Sequence, residues 1–139
     1  MVNTLIRLGT KDDYPFILNS WTNQQVHIYP NNYSFQYKAK LQTSLLHLLN
    51  KSIVLVLHEE SSEVEIVGYL VYGSFLDRQV IHFGYVKHDA RREGQLTKLM
   101  QFSNPDKKTI VFTYPAKNEN LMKVLCDRYI FDPSVLGVI

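Results

Sequence analysis

Apolar positions in this chain recur first at helical spacing and then at strand spacing, and the change falls close to residue 50. Thr4 to Leu8 reads as a short strand. Thr10 followed three residues later by Asp13 predicts a helix start, because the two side chains can satisfy the free amides of a first turn in which Pro15 is tolerated. Tyr14, Ile17, Leu18 and Trp21 then lie on one helical face. The Asn- and Gln-rich stretch from Gln24 to Asn32 with its Tyr-Pro pair interrupts the pattern. A second helix follows with Leu41, Leu45, Leu48 and Leu49 on one side, ending near Asn50.

Ser52 to His58 is a β-branched apolar run, and Val64 to Tyr72 is a second run of similar length across a polar turn, which together predict a hairpin. Gly73 to Arg78 reads as another turn, and Gln79 to Lys87 as a third consecutive strand with both faces packed. Leu96, Leu99 and Met100 give a short helix that Asn104-Pro105 stops. Thr109 to Tyr114 is predicted as a strand, Asn118 to Tyr129 as a helix with Leu121, Val124, Leu125 and Tyr129 inward, and Val135 to Ile139 as a last strand. The order β-α-α-β-β-β-α-β-α-β, without internal repeat or linker, predicts an α/β fold: a mixed, mostly antiparallel central sheet flanked by about four helices.

A chain of 139 residues, 45% of them hydrophobic, is the size of one domain and large enough to bury a core unaided, so residues 1–139 are expected to form a single domain. The single cysteine, Cys126, has no internal disulfide partner, and no basic segment followed by an apolar run opens the chain. A reducing cytoplasm is therefore the expected setting. The longest apolar run, Ile53 to Leu57, is far short of the ~20 residues that span a bilayer, so no membrane partner is expected. The net charge of +2 argues against nucleic acid as a main partner, but its distribution is uneven. Residues 1–86 hold six Lys or Arg against seven Asp or Glu, and residues 87–139 hold nine against six. The positive part fits a small anionic ligand.

That part begins with the most informative stretch, Tyr85 to Leu99. A buried strand ends, a basic loop with one glycine follows, and an amphipathic helix starts at once. Free backbone N–H groups and the positive end of the helix dipole then converge on one spot, which attracts phosphate. Gly94 lets backbone approach a pyrophosphate, Arg91 and Arg92 add charge at its rim, and Thr97 offers a hydroxyl. By spacing alone, a plain turn accounts for these residues as well.

The chain resembles the GNAT superfamily of N-acetyltransferases over nearly its whole length, in a form similar to small phage-type members. Leu5-Ile6-Arg7 with Thr10-Lys11-Asp12-Asp13 is similar to the family's first strand and helix. Arg91-Arg92-Glu93-Gly94-Gln95-Leu96 resembles its Arg/Gln-x-x-Gly-x-Gly/Ala acetyl-CoA loop, and Asn120 to Phe131 resembles its C-terminal helix and Gly-Phe ending. The resemblance implies acetyl-CoA as cofactor, gripped around Arg91, Arg92, Gly94, Gln95, Leu96 and Thr97, with the strand Phe83 to Lys87, Val86 included, aligning the pantetheine arm. It implies acetyl transfer to a primary amine by direct attack, the amine belonging to a small molecule or a protein. Two positions depart from the family pattern: Leu96 stands where Gly or Ala is usual, and Cys126 where a tyrosine general acid is usual.

Amine acetylation needs a base for the amine and an acid for the departing sulfur. The strand Gln79 to Lys87 contains no carboxylate, which leaves His82 as its conventional base, or as a packed, hydrogen-bonded strand histidine. Tyr85 is either a residue facing the acyl group or packing, and Cys126 either an acid or a small core residue. Tyr29, Tyr33, Phe35 and Tyr37, crowded with Asn31 and Asn32, form an aromatic polar segment that contacts an acceptor or caps the core. His47 and the Glu59-Glu60 pair lack metal-ligand spacing, so no metal is expected. The competing reading is a catalytically inactive GNAT-fold binding or regulatory protein, for example phage-encoded, that acts through protein or nucleic-acid contacts. Exposed sheet edges make a homodimer plausible.

Overall fold

In a computed structural model of the chain, residues 3–28, 35–91, 93–113, 129–132 and 136 are described. Six strands form one sheet: β1 (Thr4–Leu8), β2 (Ile53–Glu59), β3 (Ser62–Phe75), β4 (Arg78–Val86), β5 (Ile110–Phe112) and β6 (Tyr129–Phe131). They lie side by side in chain order. The first four pair antiparallel, whereas β4 with β5 and β5 with β6 pair in parallel. Among the described residues three α-helices accompany them: α1 (Tyr14–Ile28), α2 (Phe35–Lys51) and α3 (Gln95–Ser103). The predicted mixed, mostly antiparallel α/β sheet is present. The fourth helix, predicted to begin at Asn118, falls outside the described residues up to its last position. Tyr129, assigned to that helix from its spacing, instead opens β6. Its Tyr-Ile-Phe sequence is strand-forming, and Ile130 pairs with Val111. Leu136, the one described residue of the segment predicted as the last strand, lies in a 3₁₀ turn.

The apolar run of β2 is continuous because both faces of the sheet are covered. Val54 and Val56 pack on one side with Ile17, Trp21, Leu45 and Leu49 of α1 and α2. Leu55 and Leu57 pack on the other with Leu99 and Met100 of α3. Alternation along one strand thus builds two cores. The four positions that defined the first helix by spacing, and the four leucines of the second, all face the first of these cores.

A 3₁₀ turn, Lys11–Asp13, leads into α1, and here the expected reciprocal cap is found. The Asp13 carboxylate accepts the Thr10 amide at 2.8 Å. It also takes both terminal nitrogens of Arg7 at 2.8 Å each, tying β1 to the entry of α1. Those hydrogen bonds from Arg7 hold the Asp13 carboxyl below the usual carboxylate range despite its burial. The hairpin from β3 to β4 turns on Leu76 and Asp77, both left-handed with φ of 51° and 59°. Two such residues match the strand twist, so both strands run further towards the turn than the Gly73–Arg78 break predicted.

Candidate functional site

The candidate site is built where β4 leaves its neighbour. Parallel pairing with β5 covers Gln79, Val80 and Ile81 of β4. The last described backbone link runs from the Thr113 N–H to the Ile81 carbonyl, at 3.1 Å. Beyond it β4 continues to Val86, still paired with β3 but with no described strand on its other side. One edge of residues 82–86 therefore presents backbone donors and acceptors to whatever enters the fork.

A bulge sits at the base of this fork. Val71 of β3 pairs with Phe83 and its neighbour Tyr72 with Ile81, leaving His82 as the extra residue. The insertion switches faces: Ile81 packs in the α3-side core, whereas Phe83 and Tyr85 pack on the α1/α2 side. His82 is 3% exposed, and its Nδ1 lies 2.8 Å from the hydroxyl of Thr113 at the end of β5. Burial pushes the imidazole pKa down to about 4, so the ring is neutral at physiological pH. Of the two sequence readings of His82, the packed, hydrogen-bonded strand histidine is the one these contacts describe.

Tyr85 is half-buried and stacks on Tyr69 with ring centroids 5.3 Å apart, and Phe16 of α1 meets it edge-on at 6.2 Å. Phe83 stacks on Trp21 at 5.2 Å, nearly parallel. The Tyr69 hydroxyl shares a hydrogen bond with Ser20, and burial raises its pKa well above the ordinary value. His82 and Tyr85 thus serve different surroundings, the first bound to β5 and the second within an aromatic cluster under α1.

After β4 the chain makes a 3₁₀ turn, His88–Ala90, and reaches α3 through Gly94. The amides of Ala90 and Arg91 are used in that turn. Gly94 is the N-cap at φ 76°, a left-handed conformation that suits glycine, and no side chain caps the helix. The Lys98 N–H is bonded to the Gly94 carbonyl and is the first intrahelical donor, so the amides of Gln95, Leu96 and Thr97 have no intrahelical acceptor. A Cβ at Gly94 would meet nothing within 4 Å among the described residues, so the space beside this glycine is open.

The side chains of α3's first turn point elsewhere. Gln95 is buried and accepts the Thr4 hydroxyl at 3.1 Å, and Lys98 donates to the Thr4 carbonyl at 2.7 Å. Leu96 turns inward, its Cδ1 3.1 Å from where a Cβ on Gly84 would stand. Its bulk is taken up against β4. Thr97 is half-buried, and Arg91 is exposed, its Nε donating to the Val86 carbonyl at 2.8 Å. The structure brings Val86, Arg91 and Leu96 together along the last part of β4, while Gln95 reaches Thr4 of β1. Arg92 and Cys126 lie outside the described residues, as do Tyr29, Asn31, Asn32 and Tyr33; Phe35 and Tyr37 fall in α2. Thr113, which holds His82, was not singled out from sequence, because no local spacing links positions 31 residues apart.

Among solved structures, a proposed acetyl transferase from Pyrococcus furiosus superposes with a TM-score of 0.66 at 16% identity, over 88% of this chain and 89% of that one. A predicted acetyltransferase from Clostridium acetobutylicum, solved with acetyl-CoA, gives 0.59 at 12% identity over 88% of each chain. A GNAT family N-acetyltransferase from Escherichia coli, in complex with CoA, gives 0.51 at 19% identity over 76% of this chain and 56% of that one. The fold is that of the GNAT acetyltransferases. No family model matches the sequence, and no curated protein matches it either. The likeness thus resides in the overall fold. Among the described residues no helix is long and apolar enough to cross a membrane, and no cluster of His, Cys, Asp and Glu is arranged to hold a metal ion.

Proposed function

We propose that this chain is an acetyl-CoA-dependent N-acetyltransferase that passes an acetyl group to a primary amine by direct attack. The observation that carries the reading is the N-terminus of α3, without a side-chain cap and opened by left-handed Gly94, together with the edge of β4 that no described strand covers. The residues present fit the cofactor. The amides of Gln95, Leu96 and Thr97 would hold its pyrophosphate, with Arg91 at the rim, and the edge of residues 82–86 would align its amide-bearing arm. When bound, acetyl-CoA supplies the activated thioester.

Around that thioester the chain's own groups do three things. The β4 edge orients the arm, the helix end neutralises phosphate charge, and the stacked rings of Tyr69 and Tyr85 exclude water from one wall. A lysine side chain, a protein N-terminus, a polyamine or a small metabolite amine all present the required nucleophile. A second reading, a GNAT-fold binding protein without turnover, is favoured by one feature: β4 carries no carboxylate, and its histidine is buried and only weakly basic.

Titration calorimetry with acetyl-CoA, followed by an assay of released thiol in the presence of an amine panel, separates the two readings. Binding with thiol release supports transfer; binding without release supports the second reading. Gly94→Trp places a ring over the helix end and should abolish binding, and unchanged affinity in that variant would remove this loop from the cofactor site. Arg91→Ala should weaken binding by about 1–3 kcal/mol through loss of a charge-assisted contact.

A further inference from the structure

The short contact between His82 and Thr113 has two possible proton arrangements. In one, the Thr113 hydroxyl donates to Nδ1 and the ring keeps its proton on Nε2. In the other, Nδ1–H donates to the hydroxyl, which must then donate onward to the Ile81 carbonyl. The distances distinguish them. Oγ1 of Thr113 is 2.8 Å from Nδ1 but 3.5 Å from the Ile81 oxygen, too long for a good O–H···O bond. That oxygen already accepts the Thr113 N–H at 3.1 Å. With Thr113 2% exposed and His82 3% exposed, water offers the hydroxyl proton little alternative. The first arrangement places the proton in the short contact, and the second leaves it in the long one.

We propose that Thr113 fixes His82 as its Nε2–H tautomer, so that the ring presents a hydrogen-bond donor, and not a base, at the fork between β4 and β5. Among the described residues none accepts a hydrogen bond from Nε2. The catalytic consequence rests on the acetyl-transfer reading. A neutral donor fixed at the fork suits the carbonyl oxygen of a thioester, where negative charge develops as an amine attacks, and no proton need leave the ring. Thr113 is then a positioning residue acting through His82.

Two-bond ¹H–¹⁵N NMR spectra of the protein without cofactor report the tautomer directly, with His82 assigned by its loss in His82→Gln. The wild type should give the Nε2–H pattern at neutral pH. Thr113→Val should lose that fixed pattern, and Thr113→Ser should restore it. An Nδ1–H pattern in the wild type, or a Thr113→Val spectrum identical to wild type, overturns the proposal. If Thr113→Val does not fold, the wild-type and Thr113→Ser spectra decide alone. With acetyl-CoA and an accepted amine, Thr113→Val should lower kcat by about 10- to 100-fold with little change in the KM for acetyl-CoA, and Thr113→Ser should recover it. An altered tautomer with unchanged kcat would overturn the catalytic part. The tautomer spectra need no cofactor, so a protein that transfers no acyl group would leave the proton assignment standing and remove only its use.

Discussion

Holding an imidazole uncharged inside the sheet makes folding sensitive to acid. The unfolded chain takes up the His82 proton near pH 6.5, while the folded protein resists it until about pH 4. The unfolded state therefore binds more protons in that window, and stability falls as pH is lowered through it. Up to about 3 kcal/mol should be lost between those limits, measured by urea unfolding at a series of pH values, and His82→Gln should flatten the slope. Asp13 behaves alike but later. Its folded pKa lies below 3.8, so its share of stability is present above that value and is lost only at more acidic pH. Arg7→Ala should remove the guanidinium from a carboxylate that is only 7% exposed. Because Arg7 itself is a quarter exposed, about 2 kcal/mol of destabilisation is expected, less than for a fully buried pair. Chemical denaturation at pH 7 checks it, and an unchanged midpoint would show that water replaces Arg7 at no cost.

Among the elements, the β3–β4 hairpin carries the site and is held by two backbone constraints. Leu76 sits at φ 51° with its side chain 77% exposed, a conformation a leucine adopts at a cost. Leu76→Asn keeps the Asp77 contact to Lys108 and should stabilise the protein by about 0.5–1 kcal/mol, visible as a raised unfolding midpoint. Gly68 is the opposite case: a Cβ there would stand 2.5 Å from the Tyr85 carbonyl, so Gly68→Ala must push β3 and β4 apart. A loss of about 1–3 kcal/mol is expected, together with altered near-UV dichroism from the stacked Tyr69–Tyr85 pair.

Periodicity sufficed to place α1, α2, α3 and the first four strands, because each buries a face whose spacing is written into consecutive residues. It failed at Tyr129, whose position fits a helical stripe but whose partner, Ile110, lies far off in the chain. The bulge at His82 was hidden for a related reason. An extra residue in β4 shows only when Val71 and Tyr72 are seen opposite Phe83 and Ile81. The loop glycine and the helix after it were legible because the turn is local. Leu96 was legible as a departure, but its inward direction was not.

For the molecule as a whole, the GNAT likeness at 12–19% identity rests on architecture and not on retained sequence. Binding at the end of α3 should couple to global stability, since only the folded chain assembles that helix against β4. Acetyl-CoA at 100 times its dissociation constant should then add about 2.7 kcal/mol, read as a raised Tm, while Gly94→Trp should show no shift.

The strands also lie in the sheet in the order they occur in the chain. Among the described strands none has to be threaded later between two earlier ones, so β1 to β4 can close as they emerge from the ribosome, before β5 and β6 are seated. The jaws proposed to grasp the acyl carrier would thus be completed after β1 to β4, on a half-sheet already in place.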